Sequence, residues 1–252
     1  MNNLKDSLLK VLDHEKTLDL LLNEPKSFCR FGDGEIELCM GKGIPFQKYD
    51  LDLQKILLEI LQKNSDNMYV GIDYNYFSSI NYLTETVKKF QIDNAKKYRD
   101  FLMNICYKER LYIATGFTQI YLTYNNYNYD NYYKKVKNLF KDKELVIFAG
   151  NGILNKLKYD VFELARTKEY INAPSCNAFS DFENILEIAY SYPADRKTLV
   201  FILGPTSNVL VYHLAQKGYM AWDIGHLAKD YDAYMRGIEK NEKNIVEFFK
   251  PD

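Results

Sequence analysis

What the sequence has little of narrows the field first. Twelve glycines and six prolines in 252 residues fall well under the roughly 12% that average usage gives the two together. That excludes collagen-like and low-complexity chains. The four cysteines, Cys29, Cys39, Cys106 and Cys176, form no C-x-x-C pair. Neither a disulfide scaffold nor a zinc ribbon is expected, and they read as small buried hydrophobes in a reducing cytoplasm. Charge of one sign is not in excess: 33 Lys+Arg stand against 34 Asp+Glu, which excludes a polybasic nucleic-acid arm. Met1 to Lys16 carries charges and no apolar stretch, so no signal peptide is expected. Two uncharged runs, 111–129 and 198–216, are long enough to test as membrane spans. The first holds Thr, Gln and several Asn, and the second is broken by Gly204-Pro205-Thr206-Ser207-Asn208; neither qualifies.

What is abundant is tyrosine, 22 residues beside 15 Phe. An apolar ring with a polar tip suits sugar and nucleotide clefts. AT-rich codons, which enrich Tyr, Phe, Asn, Lys and Ile together, account for the same count. Tyr121–Tyr133 is the one stretch where tyrosine and asparagine crowd together, and it reads as an exposed loop or lid facing an acceptor.

Short apolar runs rich in β-branched and aromatic residues recur along the chain. Strands are expected at Ser27–Phe31, Met68–Ile72, Leu111–Ala114, Leu145–Ala149, Glu169–Ala173, Leu199–Leu203 and Ala221–Ile224. Several are continuous rather than alternating, the mark of strands buried on both faces of a parallel sheet. Helical patterns lie between them at Leu4–Leu22, Leu51–Gln62, Asn81–Cys106, Tyr132–Leu139, Ile153–Ala165, Asp181–Ala189 and Asn208–Gln216, with a last helix near the end of the chain. The alternation predicts an α/β, Rossmann-like fold with a mostly parallel sheet flanked by helices. No linker divides it. The expected organisation is one domain over 1–252: an N-terminal helix at 4–22, a core from about 26 to 238 and a C-terminal helix at 242–249.

In such a sheet ligands bind at the carboxyl ends of the strands, which directs attention to four segments. In Arg30-Phe31-Gly32-Asp33-Gly34-Glu35 two carboxylates sit two residues apart on a glycine-flanked turn. Mg²⁺ and Mn²⁺ take carboxylate oxygens and fill their other positions with water and phosphate oxygens. Arg30 offers a partner for a phosphate or for a carboxylate. The same spacing also suits Asp and Glu at the start of a helix, and local spacing leaves both readings open. Gly204-Pro205-Thr206-Ser207-Asn208 is a strand-to-helix turn that suits a phosphate, or ordinary capping. Asp223 and His226 form a third site, with His226 placed to act as base, ligand or hydrogen-bond donor. His14 and His213 read as structural or merely solvated. Gly150-Asn151-Gly152 opens like a dinucleotide fingerprint, but Asn155 stands where its third glycine belongs. There is no P-loop, nucleophile elbow or His-Glu-x-x-His helix.

Taken in order, these segments resemble the GT-D-fold glycosyltransferases, a bacterial family. The resemblance rests on Arg30 to Glu35 and Gly43-Ile44-Pro45-Phe46-Gln47, then Ala173-Pro174-Ser175-Cys176-Asn177-Ala178-Phe179, Leu203-Gly204-Pro205-Thr206, Gly218-Tyr219, Asp223-Ile224-Gly225-His226 and Asp230-Tyr231. It implies transfer of a sugar, glucose first, from a UDP-sugar to a lipid- or protein-linked glycan acceptor. It also implies a Mn²⁺ or Mg²⁺ site at Asp33 and Glu35, the family's Asp-x-Glu pair. Arg30, Gly32, Gly204, Pro205 and Thr206 are then expected to hold the donor diphosphate, with Phe31 or a tyrosine on the uracil. Asp223 and His226 are the candidate bases. The expected partners include no nucleic acid, and the expected location is the cytoplasm, with peripheral contact at the inner membrane face. Two other readings compete: an inactive sugar-nucleotide-binding or assembly protein of the same fold, and a methyltransferase taking Gly32-x-Gly34 as an S-adenosylmethionine loop. The latter needs an acidic residue after the next strand, where this chain runs instead through Gly41, Gly43 and Pro45.

Overall fold

The computed structural model describes residues 9–250. The expected N-terminal helix at 4–22 lies partly outside them, and within them it is shorter. Lys10–Val11 form a strand, β1, beside Leu111 and Tyr112, and helix α1 starts only at His14 and ends at Asn23. Asp13 sets that start by accepting the Lys16 N–H at 2.8 Å, as an N-cap does.

Strand β2 (Ser27–Phe31) leads into α2 (Asp33–Cys39), then α3 (Leu51–Gln62), β3 (Met68–Ile72), the long α4 (Glu85–Ile105) and β4 (Leu111–Ala114). The short α5 (Ile120–Thr123) and α6 (Tyr129–Phe140) cross to the second half, with β5 (Glu144–Gly150), β6 (Thr167–Ala173), α7 (Phe182–Tyr190), β7 (Lys197–Ile202), α8 (Thr206–Gln216) and β8 (Met220–Asp223). Two helices close the chain, α9 (Leu227–Met235) and α10 (Glu242–Phe248). The eight strands form one sheet in the order β1-β4-β3-β2-β8-β7-β5-β6, and every pairing is parallel. The expected α/β architecture holds.

The continuous apolar runs are explained by two cores, one on each face. Cys29, Phe31, Val146, Phe148, Leu199 and Phe201 point into one. Their strand neighbours Phe28, Leu145, Ile147, Val200 and Trp222 point into the other. With side chains alternating at a period of two, both parities must be apolar when both faces are covered.

Two expected elements are corrected. The Ile153–Ala165 helix is absent: a short 3₁₀ turn at Leu154–Lys156 gives way to turns. The Asp232 carboxylate accepts the Lys158 and Tyr159 N–H groups, and Asp160 accepts that of Phe162. Side chains have taken the donors a helix would use. Tyr121–Tyr133 is not an exposed lid. Tyr132 and Tyr133 lie in the core, their hydroxyls donating to Phe117 O and Asp230, and the buried Tyr124 donates to Asn75.

Candidate active site

Because all strands run the same way, their carboxyl ends face one edge of the sheet. There a cleft of ≈ 160 Å³ is lined by residues from the ends of six of them: Arg30 near the end of β2, Thr115 and Gln119 after β4, Ile153 after β5, Ser175 after β6, Gly204 after β7, and Gly225 with His226 after β8. β5 leads outward to β6 while its neighbour β7 leads back to β8, which makes their junction the switch point where α/β sheets open a crevice. A larger open groove of ≈ 850 Å³ lies at the other end, around Lys26, Arg166 and Lys197. Lys197 there pairs with Glu144 at 3.1 Å, and the strand-end rule directs attention to the smaller cleft.

Arg30 is held rather than free. Its Nε donates to Asp223 O at 2.9 Å, Nη1 to Thr118 Oγ1 at 2.9 Å, and Nη2 to the Asp223 carboxylate at 3.0 Å. The guanidinium lies flat on Gly225, where φ is +43° and an added Cβ would sit 1.7 Å from Nη2. Asp223 also accepts the Gly225 N–H at 3.1 Å. Burial pushes its carboxyl up while Arg30 pulls it back. The expected pair, Arg30 with a phosphate and Asp223 as base, is therefore first a pair with each other. Three of the five guanidinium N–H groups are used, and the rest remain for a ligand in the cleft.

Asp33 and Glu35 begin helix α2. Glu35 accepts the Gly32 N–H at 2.9 Å, a capping-box contact. The helix-start reading of this turn is thus correct, and it does not exclude the other. Burial pushes the Asp33 carboxyl up, and the N–H groups of Asp33 and Gly34 pull it back. Burial and the charge of Asp223 push Glu35 to about 7. Neither has an ion-pair partner among the described residues, so two carboxylates stand at the cleft wall without a cation. No cluster of three His, Cys, Asp or Glu converges there among the described residues. This donor set fits a hard divalent ion whose remaining positions are filled by water and diphosphate oxygens.

Opposite them, Gly204 (φ +54°) and Pro205 turn the chain into α8. Both line the cleft. Ser207 Oγ accepts the Leu203 N–H, and Asn208 donates to Arg30 O at 2.8 Å, so this helix start is tied to β2. Thr206 is fully buried behind the turn. Its hydroxyl and the side-chain Oδ1 of Asn208 have no hydrogen-bond partner.

His226 is packed against Phe46, Phe248 and Phe249 at ring distances of 6.0, 5.2 and 5.7 Å. Burial, with Lys229 and Arg30 adding, lowers it to about 3. It is neutral near pH 7 and a weak base there. Phe31, expected on the nucleotide, is fully buried in the core and its ring does not reach the cleft. An aromatic platform is supplied instead by Phe46 and Phe249. Phe46 lies in a segment that the sequence singles out; Phe249 carries no signal. Lys229, one helical turn beyond His226, was legible only by that spacing. His14 is buried against Tyr74 and Tyr124, His213 is half-buried, and neither lines the cleft. All four cysteines are free, three buried and Cys176 half-buried. No helix among the described residues is long and apolar enough to cross a membrane.

A parallel sheet with an acidic pair, an arginine clamp and a helix start at one strand-end cleft is the arrangement of a ligand site in an α/β protein. The family model described as glycosyltransferase GT-D fold matches residues 28–248, and the chain belongs to that family. It is 32% identical over 236 residues to the "Probable glycosyl transferase Gly" of Streptococcus gordonii, covering 93% of this chain and 34% of that protein. It is 30% identical over 246 residues to the glycosyltransferase GlyD of Streptococcus pneumoniae serotype 4, covering 95% of this chain and 30% of that protein. The chain thus spans about a third of the length of these curated relatives. Among solved structures it is similar to a new glycosyltransferase (DUF1792) from Streptococcus sanguinis, with a TM-score of 0.86 and 30% identity over 97% of this chain and 95% of that one. It is equally similar to a structure described as a distinct glycosyltransferase fold of DUF1792, with a TM-score of 0.85, 30% identity and 98% and 92% coverage.

Proposed function

We propose that the cleft takes a UDP-sugar, with glucose as the transferred sugar, and passes it to a lipid- or protein-linked glycan in surface polysaccharide or glycoprotein synthesis at the cytoplasmic membrane face. The observation that carries this reading is the pair of carboxylates, Asp33 and Glu35, that line the cleft together with the Gly204-Pro205 turn and have no ion-pair partner among the described residues. Asp33 and Glu35 would hold Mn²⁺ or Mg²⁺, which supplies positive charge against the charge developing on a departing diphosphate. The Gly204 turn and the unused N–H groups of Arg30 bind and orient the diphosphate. His226, kept neutral by its aromatic surroundings, orients the acceptor hydroxyl by hydrogen bonding. The acceptor oxygen forms a bond to the anomeric carbon as the bond to the diphosphate oxygen breaks, and the hydroxyl proton leaves to water or a cleft carboxylate.

Two measurements test this. A thermal-shift series with UDP, other nucleotides and S-adenosylmethionine, each with and without Mn²⁺, should show stabilisation by UDP that requires the metal. UDP release from UDP-glucose in the presence of acceptor should then fall by roughly 10²-fold or more in Asp33→Ala and Glu35→Ala. Unchanged metal-dependent turnover in both variants removes the assignment. UDP binding without release from any donor moves it to a binding protein.

A further inference from the structure

The outer edge of β6 is built to receive another strand. Among the described residues, β6 is the last strand of the sheet and pairs only with β5. The segment entering it, expected to be a helix, is a 3₁₀ turn and loops. Residues Thr167 to Tyr170 are therefore exposed in sequence, with Tyr170 51% exposed and Leu164 just before it 39%. A seven-residue edge of this kind, with no proline and no bulge, is what native proteins ordinarily cover or break.

The hydrogen-bond parity fixes which groups face outward. Asn151 N donates to Ala173 O, and Thr167 N to Lys143 O, so the odd-numbered residues of β6 bond toward β5. The N–H and C=O groups of Lys168, Tyr170 and Asn172 consequently point away from the sheet. We infer that this edge pairs with the same edge of a second copy of the chain, antiparallel, about a two-fold axis at Tyr170. In that register the two Tyr170 residues exchange both backbone bonds, and Lys168 of each copy exchanges both with Asn172 of the other. Side-chain chemistry selects the register as well. Lys168 then faces the neutral Asn172, and Glu169 faces Ile171. Moving the axis one residue toward the N-terminus sets Glu169 against itself, and moving it two sets Lys168 against itself. An isologous contact needs this self-complementarity. Strand polarity reverses across the interface, so the two clefts lie at opposite edges of the joined sheet, neither covered by the other. The inference does not depend on the transferase reading.

Sedimentation equilibrium on the full chain tests it, with the wild type expected to be a dimer. Tyr170→Pro deletes an outward N–H and no bond to β5, so it should leave a folded monomer with an unchanged far-UV spectrum. Asn172 sets the sharper test, because it separates register from mere edge contact. Asn172→Glu, facing Lys168, should tighten the dimer, and Asn172→Lys should loosen it, each by roughly threefold to tenfold in the dissociation constant. A wild-type monomer at high micromolar concentration overturns the inference. So does a dimer that survives Tyr170→Pro, or one indifferent to the sign of charge at Asn172.

Discussion

Gly225 has no room for a side chain, because the Arg30 guanidinium occupies that space. Gly225→Ala must push Arg30 away and leave Asp223, 2% exposed, as a buried charge without its partner. Chemical denaturation should show a loss of about 3–5 kcal/mol, the range for breaking one side of a buried pair. His226 makes a different prediction. Lowered to about 3, it does not titrate between pH 5 and pH 8. His226→Gln should therefore lower UDP-glucose turnover without removing any ionisation limb from its pH profile over that span. A limb that vanishes in the variant would show that the imidazole titrates as a base. Residue identity was largely legible in the sequence here: the glycines, the acidic pair and the histidine all sit at strand ends that the patterning marked. What Arg30 grips was not, since its partner stands 193 positions away and no local pattern reports a contact at that distance.

At the scale of elements, α9 is clasped to α5 by one side chain. Asp230, fully buried, accepts the Tyr121 and Leu122 N–H groups and the Tyr133 hydroxyl, and burial raises it to about 6. A carboxyl raised on folding contributes most while protonated in both states, below about 3.8, and loses that contribution as pH rises through 6. Asp230→Asn lacks this loss. Urea titrations at a series of pH values should show the variant gaining on the wild type by up to about 3 kcal/mol between about pH 4 and pH 7. The start of α8 offers another measurement. Thr206→Val removes a buried hydroxyl without a partner, so the unliganded protein should gain about 1 kcal/mol. Helices with clean apolar periodicity, such as α3, were legible to the residue. The 153–165 stretch was not, because Asp232, far along the chain, captures its backbone donors. The tyrosines of 121–133 misled for a related reason: polar by composition, they are buried by having their hydroxyls satisfied within the core.

For the whole molecule, the single tryptophan is a convenient reporter. Trp222 lies on β8 in the middle of the sheet, stacked on Phe28 at 5.6 Å and donating to Lys26 O at 3.0 Å. If the two cores on either face of the sheet melt together, fluorescence and far-UV dichroism should give coincident denaturation curves. Separated midpoints would mean that the two cores melt apart. Strand number and parallel character were legible from the apolar runs, apart from the two-residue β1. The order of strands was not, because pairing across the sheet is decided by packing between segments rather than within them. That order has a consequence in time. β2 borders β3, which follows it closely, and β8, which comes long after it, so during synthesis β2 gains one neighbour early and waits for the other until Trp222 has left the ribosome. The cleft is therefore among the last features to assemble, and its closure carries a large loop entropy that makes folding slow. A nascent chain that stops before Asp223 retains Asp33 and Glu35 but has neither the Asp223 clamp nor the Gly225 floor on which Arg30 rests.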